Sequence, residues 1–488
     1  MKPNVLILHA DQHRADCIGA YGNREIQTPH LDRLAAEGVR FDRHYTVYPV
    51  CTPARYSFVS GQYVHQHGAW TNVSTLPQGI PTFPAALRSA GWHTAAVGKM
   101  HFTPTYQDVG YEEMHLAEQN GAGRFEDDYH TWLMEQGLID RIDLTDQNEA
   151  FRRRANQNYY DHFGAGRSDL DVSHHSTTWI AQQARSQIER WDDEGGNLLF
   201  VGFIKPHHPF DPPAPYDTLY SPGALSLLPG YTPDISARDA ELQSNFFDYR
   251  SLTPEKLQTI MAHYYGTITQ IDDEVGQIVA LLRQKGLYDN TLILYTSDHG
   301  EYMGYHHMLL KGNWLYEPLA RIPLIVKYPA AQAQHGVSHA LCDTTDIAST
   351  ILGVCGVEVP ETMHGIHLER GQSRDFVYSE GQYGTDAAPC IGYMVRTARY
   401  KLLTMGSAAH CALYDLEQDP CETHDVSSLP EYAEILAQHK AMLANAVLYR
   451  DTSRTHLDMA AAQRCTPEVL LPRAEKLRAF ITEQIDKL

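Results

Sequence analysis

The chain has 488 residues and carries 60 acidic against 39 basic side chains, which gives a formal net charge of −21 with histidine neutral. This acidic excess argues against nucleic acid or an anionic membrane as a partner, because both attract a basic surface. A hydrophobic content of 43% with 20% charged residues is typical of a globular protein with a large core. We therefore predict a globular protein with no membrane-spanning segment.

The amino-terminal sequence and the cysteines both bear on the cellular compartment. Only four apolar residues, at positions 5–8, precede His9, whereas a secretory signal needs about seven or more. The eight cysteines form no closely spaced pair, so we expect most of them to be reduced. These observations predict a cytoplasmic protein.

Strands and helices alternate along the first three quarters of the chain. We predict strands at residues 5–8, 93–98, 198–204, 291–297 and 324–327, and helices at residues 28–38, 82–91 and 253–286. The run at 5–8 is apolar throughout, as in a strand that is buried on both faces of a parallel sheet. Each helix begins at or near a proline and ends near a glycine. The alternation predicts an α/β fold with a mixed, mostly parallel sheet between helices.

The pattern changes near residue 370. Beyond it lie short apolar segments with turn-like connections, at residues 394–397, 401–404 and 412–416. Such regular spacing predicts a small antiparallel sheet. We therefore predict a large domain at residues 1–370 and a smaller carboxyl-terminal subdomain at residues 371–488.

The chain ends in an amphipathic stretch at residues 466–488. Leu477, Ile481, Ile485 and Leu488 fall on one face of it. We expect this helix to pack on its own chain or on another subunit, and a homo-oligomer is the favoured arrangement.

Polar residues follow four of the predicted strands. They are Asp11 and Gln12 after the first, Lys99 and His101 after the second, His207 after the third, and Asp298 and His299 after the fourth. A single aspartate in such a place is more often a helix cap, and a single histidine is more often structural. Because ligands bind outside the carboxyl ends of the strands in open α/β sheets, four such places together favour one shared site.

A further motif lies between the first two of these strands. Residues 51–55 read Cys-Thr-Pro-Ala-Arg and are followed by Ser60 and Gly61. Taken alone, the motif is typical of a cysteine at a helix start, with proline at the first helical position.

The pattern C-x-P-x-R resembles the signature of type I sulfatases in the alkaline phosphatase superfamily. The other motifs stand in that family's order: Asp11-Gln12, Gly98-Lys99-x-His101, Pro206-His207-x-Pro209-Phe210, Ser297-Asp298-His299-Gly300 and Lys311. The resemblance covers residues 4 to about 370, and residues 413–420 resemble the family's carboxyl-terminal subdomain. It implies an alkaline-phosphatase-like fold, with catalysis in the large domain.

The resemblance implies hydrolysis of sulfate monoesters by a modified Cys51. In sulfatases this cysteine becomes formylglycine, whose hydrated aldehyde is the nucleophile. One hydroxyl takes the sulfuryl group, and deprotonation of the other expels sulfate, which a sulfated serine could not do. The chain would therefore need a formylglycine-generating enzyme as a maturation partner. Arg55 resembles the arginine that holds the formylglycine hydroxyl and offsets the charge of nearby carboxylates.

The resemblance also implies one divalent metal ion. Its ligands would be Asp11, Gln12, Asp298 and His299, of which the first three supply oxygen. Oxygen donors favour Ca²⁺. His299 stands where many family members have asparagine, and an imidazole nitrogen leaves Mn²⁺ open.

Other residues match the family's sulfate-binding groups. Lys99 and Lys311 are the expected cations on the sulfuryl oxygens. His101 is the expected base for the release of sulfate. His207 is expected to contact the sulfate and, with Lys311, to protonate the leaving oxygen. Asn72 is a candidate substrate contact or a turn residue.

Two alternatives remain open on sequence grounds. A phosphonate monoester or phosphodiester hydrolase of the same superfamily would share the cysteine and the metal ligands. Those relatives carry neutral side chains in place of Lys99 and His101, so the presence of both favours sulfate. The second alternative is a non-catalytic metal-binding protein with unmodified Cys51. The sequence does not identify the ester, although a small imported molecule is favoured over an extracellular polymer.

Overall fold

The computed structural model describes residues 1–242, 247–312, 314–385, 388–405, 407–448 and 471–486. The strands are β1 (Asn4–Ala10), β2 (Val39–Phe41), β3 (His44–Tyr45), β4 (His93–Gly98), β5 (Glu113–Leu116), β6 (Asn197–Phe203), β7 (Thr291–Ser297), β8 (Leu324–Lys327), β9 (Gly336–Ser338), β10 (Cys342–Asp343), β11 (Val377–Thr385), β12 (Ala388–Arg396), β13 (Tyr400–Met405) and β14 (Ser407–Asp415).

The helices alternate with these strands over most of the chain. They are α1 (Pro29–Ala36), α2 (Cys51–Ser60), α3 (Val64–His67), α4 (Phe83–Ser89), α5 (Asp128–Glu135), α6 (Arg141–Gln147), α7 (Glu149–Arg152), α8 (Gln157–Asp161), α9 (Ser176–Glu189), α10 (Ala237–Leu242), α11 (Pro254–Gln284), α12 (Glu317–Ala320), α13 (Thr345–Cys355), α14 (Ala433–Leu448) and α15 (Leu471–Asp486). In the described part of the chain, none of these helices has the length and apolar character needed to span a bilayer.

The main sheet has eight strands in the order β5-β4-β6-β1-β7-β8-β2-β9. At its centre β1 runs parallel to both β6 and β7. Strand β8 runs antiparallel to β7 and to β2. The predicted mixed, mostly parallel sheet is therefore confirmed.

Helices cover both faces of this sheet, as the apolar run at 5–8 predicts. Successive side chains of a strand point to opposite faces. Val5 and Ile7 pack in one core with residues of α2, α4 and α13. Leu6 and Leu8 pack in the other core with residues of α1, α9 and α11. The central strand is thus buried on both sides, which fixes the position of whatever follows its carboxyl end.

The longest helix shows how the predicted boundaries arise. α11 begins at Pro254, and the Thr253 hydroxyl accepts a hydrogen bond from the Lys256 backbone N–H (3.3 Å). The helix ends at Gln284, two residues before the predicted end at Gly286. Its apolar positions are spaced by threes and fours, as in an amphipathic helix. Those from Ile271 onward pack in the core against the sheet, whereas the earlier ones, such as Leu257 and Met261, pack in a separate cluster beside the sheet.

A second, separate sheet follows residue 370, and its four strands are antiparallel in the order β11-β12-β13-β14. Three of these strands overlap the predicted segments. β11 is missing from the prediction because Gly381 and Gly384 interrupt its apolar pattern, and glycine weakens a strand signal. The predicted small antiparallel sheet is confirmed, with one strand more than the sequence indicates.

The terminal helix α15 packs on its own chain. Leu477 and Ile481 are buried against Leu144, close to Phe125 and Met134. Residues 466–470 and Leu488, which belong to the predicted amphipathic stretch, lie outside the described residues, as does the side chain of Ile485.

Candidate active site

Four neighbouring strands of the main sheet deliver polar residues to one edge. β4, β6, β1 and β7 are adjacent in the sheet and end at Gly98, Phe203, Ala10 and Ser297. The residues that follow them are Lys99, His207, Asp11 with Gln12, and Asp298 with His299, and all of these side chains are buried. The strand-end prediction therefore holds: parallel strands bring these side chains together at their carboxyl ends.

Helix α2 brings Cys51 to the same place. Cys51 is its first residue, and every residue of the helix is buried. At the next position the Thr52 backbone N–H donates to Asn72 Oδ1 (3.1 Å). A helix amino terminus carries partial positive charge, which favours an anion there. Cys51, the expected nucleophile, is thus also the first residue of the expected helix.

The Cys51 thiol lies among groups of both signs. Its Sγ is 3.0 Å from Lys311 Nζ, 3.3 Å from His299 Nε2 and 3.7 Å from Asp11 Oδ1. Burial and Asp11 act to raise the pKa of Cys51, but Lys311 and Lys99 outweigh them and hold this pKa well below its usual range. The position therefore stabilises an anion on the side chain of residue 51.

Arg55 joins the two carboxylates of the site. Its Nη2 lies 2.9 Å from Asp11 Oδ2, and its Nε lies 3.0 Å from Asp298 Oδ2. Lys99 Nζ lies 2.9 Å from the same Asp11 oxygen. Although burial acts to raise the pKa of Asp11, the charges of Lys99, Arg55 and Lys311 hold it well below its usual range. Both aspartates therefore stay ionised.

Three of the four predicted metal ligands form one buried cluster with Cys51 that could hold a divalent cation. Ligand atoms of Asp11, Cys51, Asp298 and His299 all lie within 4.8 Å of one another. Gln12 Oε1 is buried and has no hydrogen-bond partner among the described residues. An unpaired buried oxygen is costly, and a cation would satisfy it.

Glu301 is a part of this site that sequence reasoning missed. Its carboxylate accepts a hydrogen bond from Gln12 Nε2, which turns Gln12 Oε1 away from Glu301. It also accepts from the backbone N–H groups of Met303 (3.0 Å) and Leu310. The one available signal was its place directly after the Asp298-His299-Gly300 motif. Glu301 thus links the metal cluster to the loop that carries Lys311.

His207 and Lys311 form a pair above the thiol. His207 Nδ1 is 2.6 Å from the His208 carbonyl oxygen, so this nitrogen carries the proton. His207 Nε2 is then the acceptor of a hydrogen bond from Lys311 Nζ (2.8 Å). Burial and the Lys311 charge hold the pKa of His207 well below its usual range. The imidazole is therefore neutral.

His101 and Asn72 are near the site, but neither side chain bonds to the thiol. His101 has a φ of 56°, a strained conformation for a residue with a side chain. Its backbone is held at both ends, since its N–H donates to Glu118 Oε1 (2.9 Å) and its carbonyl accepts from Thr52 Oγ1 (2.8 Å). Among the described residues its Nδ1 is buried without a partner. The structure thus leaves this imidazole nitrogen uncommitted.

A cavity of about 300 Å³ opens beside these two residues. Its lining includes Asn72, His101, Phe102, Asn120 and Gly121. The wall is mostly neutral and combines amides with an aromatic ring. Its position next to the first turn of α2 makes it a candidate place for the organic part of a substrate.

Buried cations around a side chain whose anion is stabilised, at the end of a mostly parallel sheet, form a site suited to an anionic group. The family model described as sulfatase matches residues 3–357, and the chain belongs to that family. The model of the carboxyl-terminal region of N-sulphoglucosamine sulphohydrolase matches residues 304–448. The protein is therefore a sulfuric ester hydrolase of the alkaline phosphatase superfamily.

Individual relatives agree with this family over nearly the whole chain. An arylsulfatase from Clostridium perfringens is 28% identical, over 89% of this chain and 92% of its own. An N-acetylglucosamine-6-O-sulfatase from Bacteroides thetaiotaomicron is 26% identical, over 89% of this chain and 84% of its own. Among solved structures, a phosphonate monoester hydrolase from Silicibacter pomeroyi has a TM-score of 0.77 at 25% identity, over 93% of this chain and 97% of its own.

Proposed function

We propose that this sulfatase cleaves small sulfate monoesters with residue 51 in its formylglycine form, beside one divalent cation. The observation that carries the proposal is the set of groups around Cys51 Sγ, with Lys311 Nζ at 3.0 Å and His299 Nε2 at 3.3 Å. Formylglycine supplies a second hydroxyl, so that sulfate is released without a second attack on sulfur. The maturation partner is a formylglycine-generating enzyme.

The proposed cation is held by Asp11, Gln12, Asp298 and His299. A divalent ion there supplies positive charge to an ionised hydroxyl and to the sulfate oxygens. The three oxygen donors support Ca²⁺, while the His299 nitrogen supports Mn²⁺ as the alternative. We propose Ca²⁺. Replacement His299→Asn should then leave Ca²⁺ binding nearly unchanged in titration calorimetry, whereas a large loss of Ca²⁺ binding would favour Mn²⁺.

The remaining side chains bind the sulfuryl group and move protons. Arg55 offsets the two carboxylates, so that an anionic substrate can approach them. Lys99 and Lys311 bind sulfuryl oxygens as point charges. Lys311 also donates to the neutral His207 ring, so the pair can pass a proton to the leaving oxygen.

His101 is the proposed base for the release of sulfate. Its backbone carbonyl is hydrogen-bonded to Thr52 in the first turn of α2. Its Nδ1 has no hydrogen-bond partner among the described residues. This combination suits a group that must take a proton beside residue 51. Asn72 is the proposed contact to the substrate in the adjoining cavity, through the amide nitrogen that Thr52 does not use.

A phosphonate monoester or phosphodiester hydrolase is the second candidate function. The TM-score of 0.77 to a phosphonate monoester hydrolase favours it. Lys99 and His101 support sulfate, because a sulfate monoester places more charge-bearing oxygens on the transferred group than a diester does. Activity on both classes of substrate is expected, with sulfate preferred.

Rates on a panel of substrates test the proposed function. The panel contains an aryl sulfate, choline sulfate, a sulfated monosaccharide, an aryl phosphonate monoester and a phosphodiester. We expect the largest kcat/KM for one of the sulfates. A larger value for the phosphonate or the diester would assign the second function instead.

The chemistry at residue 51 has a separate test. Mass spectrometry should show that the peptide with Cys51 has lost about 18 Da on conversion to formylglycine. Replacement Cys51→Ser, made without an enzyme that oxidises serine, should lose at least about 1,000-fold in turnover, because a sulfated serine has no second hydroxyl. Turnover by the unmodified thiol at the rate of the converted protein would contradict the mechanism.

A further inference from the structure

Gln119 is a fully buried residue behind the active site, and it belongs to none of the sulfatase motifs. It follows the edge strand β5 in the chain. A buried amide must find partners for both of its ends.

The amide of Gln119 has one fixed orientation. Its Oε1 accepts a hydrogen bond from Lys99 Nζ (3.2 Å). Its Nε2 donates to the His208 carbonyl oxygen (2.9 Å) and to Asp143 Oδ1 (2.8 Å). A flip of the amide would place its N–H groups against an ammonium and its oxygen against two acceptors. The surroundings therefore exclude the flipped form.

The first effect of this orientation falls on Lys99. An ammonium group has three N–H donors. Among the described residues, Asp11 Oδ2 (2.9 Å) and Gln119 Oε1 (3.2 Å) take two of them. Tetrahedral geometry then fixes the direction of the third N–H. Lys99 is fully buried, so bulk water does not compete for that N–H, which in the function proposed above binds a sulfuryl oxygen.

The second effect falls on His207 through a shared acceptor. The His208 carbonyl accepts from Gln119 Nε2 and also from His207 Nδ1 (2.6 Å). It accepts a third hydrogen bond from Gln147 Nε2 (3.1 Å). Holding this carbonyl keeps the proton of His207 on Nδ1 and leaves its Nε2 toward Lys311. Gln119 is thus joined directly to Lys99 and, through the His208 carbonyl, to His207.

We propose that Gln119 is a positioning residue that aligns Lys99 and His207 on the same sulfuryl group. The proposal rests on the function proposed above for Lys99 and His207. An amide suits this task because one end accepts from a cation while the other end donates to a carbonyl. A carboxylate in its place would face Asp143 and the His208 carbonyl with no proton to donate.

A double-mutant cycle with Lys99 tests the proposal. Gln119→Met keeps the length of the side chain and removes its hydrogen bonds, so kcat should fall about 10- to 100-fold. The kcat of Lys99→Met should fall further, and the double variant should lose less than the product of the two single losses, because Gln119 acts partly through Lys99 and partly through His207. Conversion of residue 51 is measured in every variant by mass spectrometry, so that rates are compared per converted chain.

Two readouts separate positioning from a general structural effect. The inhibition constant of inorganic sulfate should rise with Gln119→Met, and its rise in the double variant should be smaller than the product of the rises in the two single variants. Gln147→Met is the matched control, since it also removes a donor to the His208 carbonyl but does not reach Lys99. It should keep kcat within about threefold of the parent. Circular dichroism and thermal melting check that each variant is folded.

These measurements distinguish a wrong role for Gln119 from a wrong role for Lys99. Full activity of Gln119→Met, or additive losses in the double variant, would overturn the role of Gln119. Parental activity of Lys99→Met would instead refute the proposed function of Lys99. If Gln119→Met does not fold, Gln119→Asn takes its place, since it keeps the amide but draws it back from Lys99. A parental kcat for Gln119→Asn would equally overturn the proposal.

Discussion

Cys51 is unusual among buried cysteines because its surroundings favour its anion. Cys17 and Cys342 are equally buried, and burial raises the pKa of both thiols well above the usual range. At Cys51 the charges of Lys311 and Lys99 reverse that effect. The same charges would stabilise an oxygen anion on a modified residue 51. The site therefore favours a negative charge at this position, whether sulfur or oxygen carries it.

The metal cluster gives a prediction for Asp298. Replacement Asp298→Ala removes a carboxylate that accepts hydrogen bonds from the Gln12 and His299 backbone N–H groups (both 3.0 Å). Bound divalent metal, measured by elemental analysis after dialysis, should fall from about one ion per chain to near none. Sulfatase activity should be lost with it, while circular dichroism stays unchanged.

Asp16→Ala is the control for this prediction. Asp16 pairs with Arg14 (2.6 Å) and lies outside the metal cluster. Its replacement should keep the metal. A fully loaded Asp298→Ala protein would show that the ligands are assigned to the wrong residues.

The motif residues were predictable from sequence because each follows a strand or begins a helix at a recognisable place. The residues behind them were not. Glu118 and Gln119 are ordinary polar residues in sequence that no spacing marks, and the only sequence signal for Glu301 is its place directly after Asp298-His299-Gly300. Their importance arises only from contacts made in the folded chain, with the backbone of His101, with Lys99 and with Gln12.

At the scale of the element, Gly98 lets β4 turn into the active site. It has a φ of +84°, and a Cβ there would lie 2.1 Å from the Gly202 carbonyl oxygen of the neighbouring strand. Lys99 follows directly, and its N–H donates to that same carbonyl (2.7 Å). The sequence predicted the strand but not this close approach, because the distance between two strands leaves no mark in either one.

Replacement Gly98→Ala should therefore destabilise the fold and displace Lys99. The expected loss is more than about 3 kcal/mol in the free energy of unfolding, measured in urea, since a strained φ and a backbone clash add together. Gly286→Ala is the matched control, because Gly286 also has a positive φ (+70°) but a Cβ there meets no atom within 4 Å. It should lose only about 1 kcal/mol. Equal losses in the two variants would contradict the clash.

Helix α15 packs against α5 and α6, and α6 contains Asp143, the hydrogen-bond partner of Gln119. Arg473 Nε donates to Thr131 Oγ1 (2.6 Å) in α5, and its Nη2 lies 3.0 Å from Asp128 Oδ1. The apolar side of α15 covers Leu144 in α6, next to Asp143, which accepts from Gln119. The sequence predicts that this helix packs either on its own chain or on another subunit, and the structure shows packing on its own chain. A homo-oligomer stays a prediction.

Leu477→Ala tests this packing. The side chain is about 99% buried, so its truncation should cost about 2–4 kcal/mol in the free energy of unfolding. Glu475→Ala, on the exposed side of the same helix, should change stability by less than about 0.5 kcal/mol. Light scattering on the parent and on a chain that ends at residue 465 measures the oligomer separately. A Leu477→Ala protein as stable as the parent would place α15 elsewhere.

At the scale of the whole molecule, buried charges join the small sheet to helix α12, which lies outside that sheet. We propose that residues 1–370 form the catalytic domain and residues 371–488 the subdomain. Lys401 Nζ in β13 lies 3.1 Å from Glu317 Oε1 and 2.8 Å from Glu422 Oε1. Glu422 Oε2 accepts from the Tyr305 hydroxyl (2.9 Å), in the loop that leads to Lys311. The subdomain thus helps to hold a loop of the active site.

Lys401→Met should destabilise the protein by about 3–5 kcal/mol near neutral pH, because it leaves two buried carboxylates without their shared cation. The loss should shrink as the pH falls. Lys401 and Arg396, opposing burial, lower the pKa of Glu317 to about 2, so the parent draws stability from this group above its unfolded pKa of about 4.5 and loses it as the pH falls toward 2. Loss of Lys401 should raise the pKa of Glu317, so that protonation relieves its buried charge at a higher pH than in the parent and the two stability curves converge in acid.

Urea unfolding of the parent and of Lys401→Met from pH 7.5 down to pH 4 measures both effects. Lys440→Met, an exposed lysine on α14 of the same subdomain, is the control and should follow the parent at every pH. Because Glu422 also holds Tyr305, the variant should lose sulfatase activity at urea concentrations below its main unfolding transition. A stability difference that stays constant with pH would show that Lys401 does not act through its charge. Activity lost only at the main transition would separate the subdomain from the loop that carries Lys311.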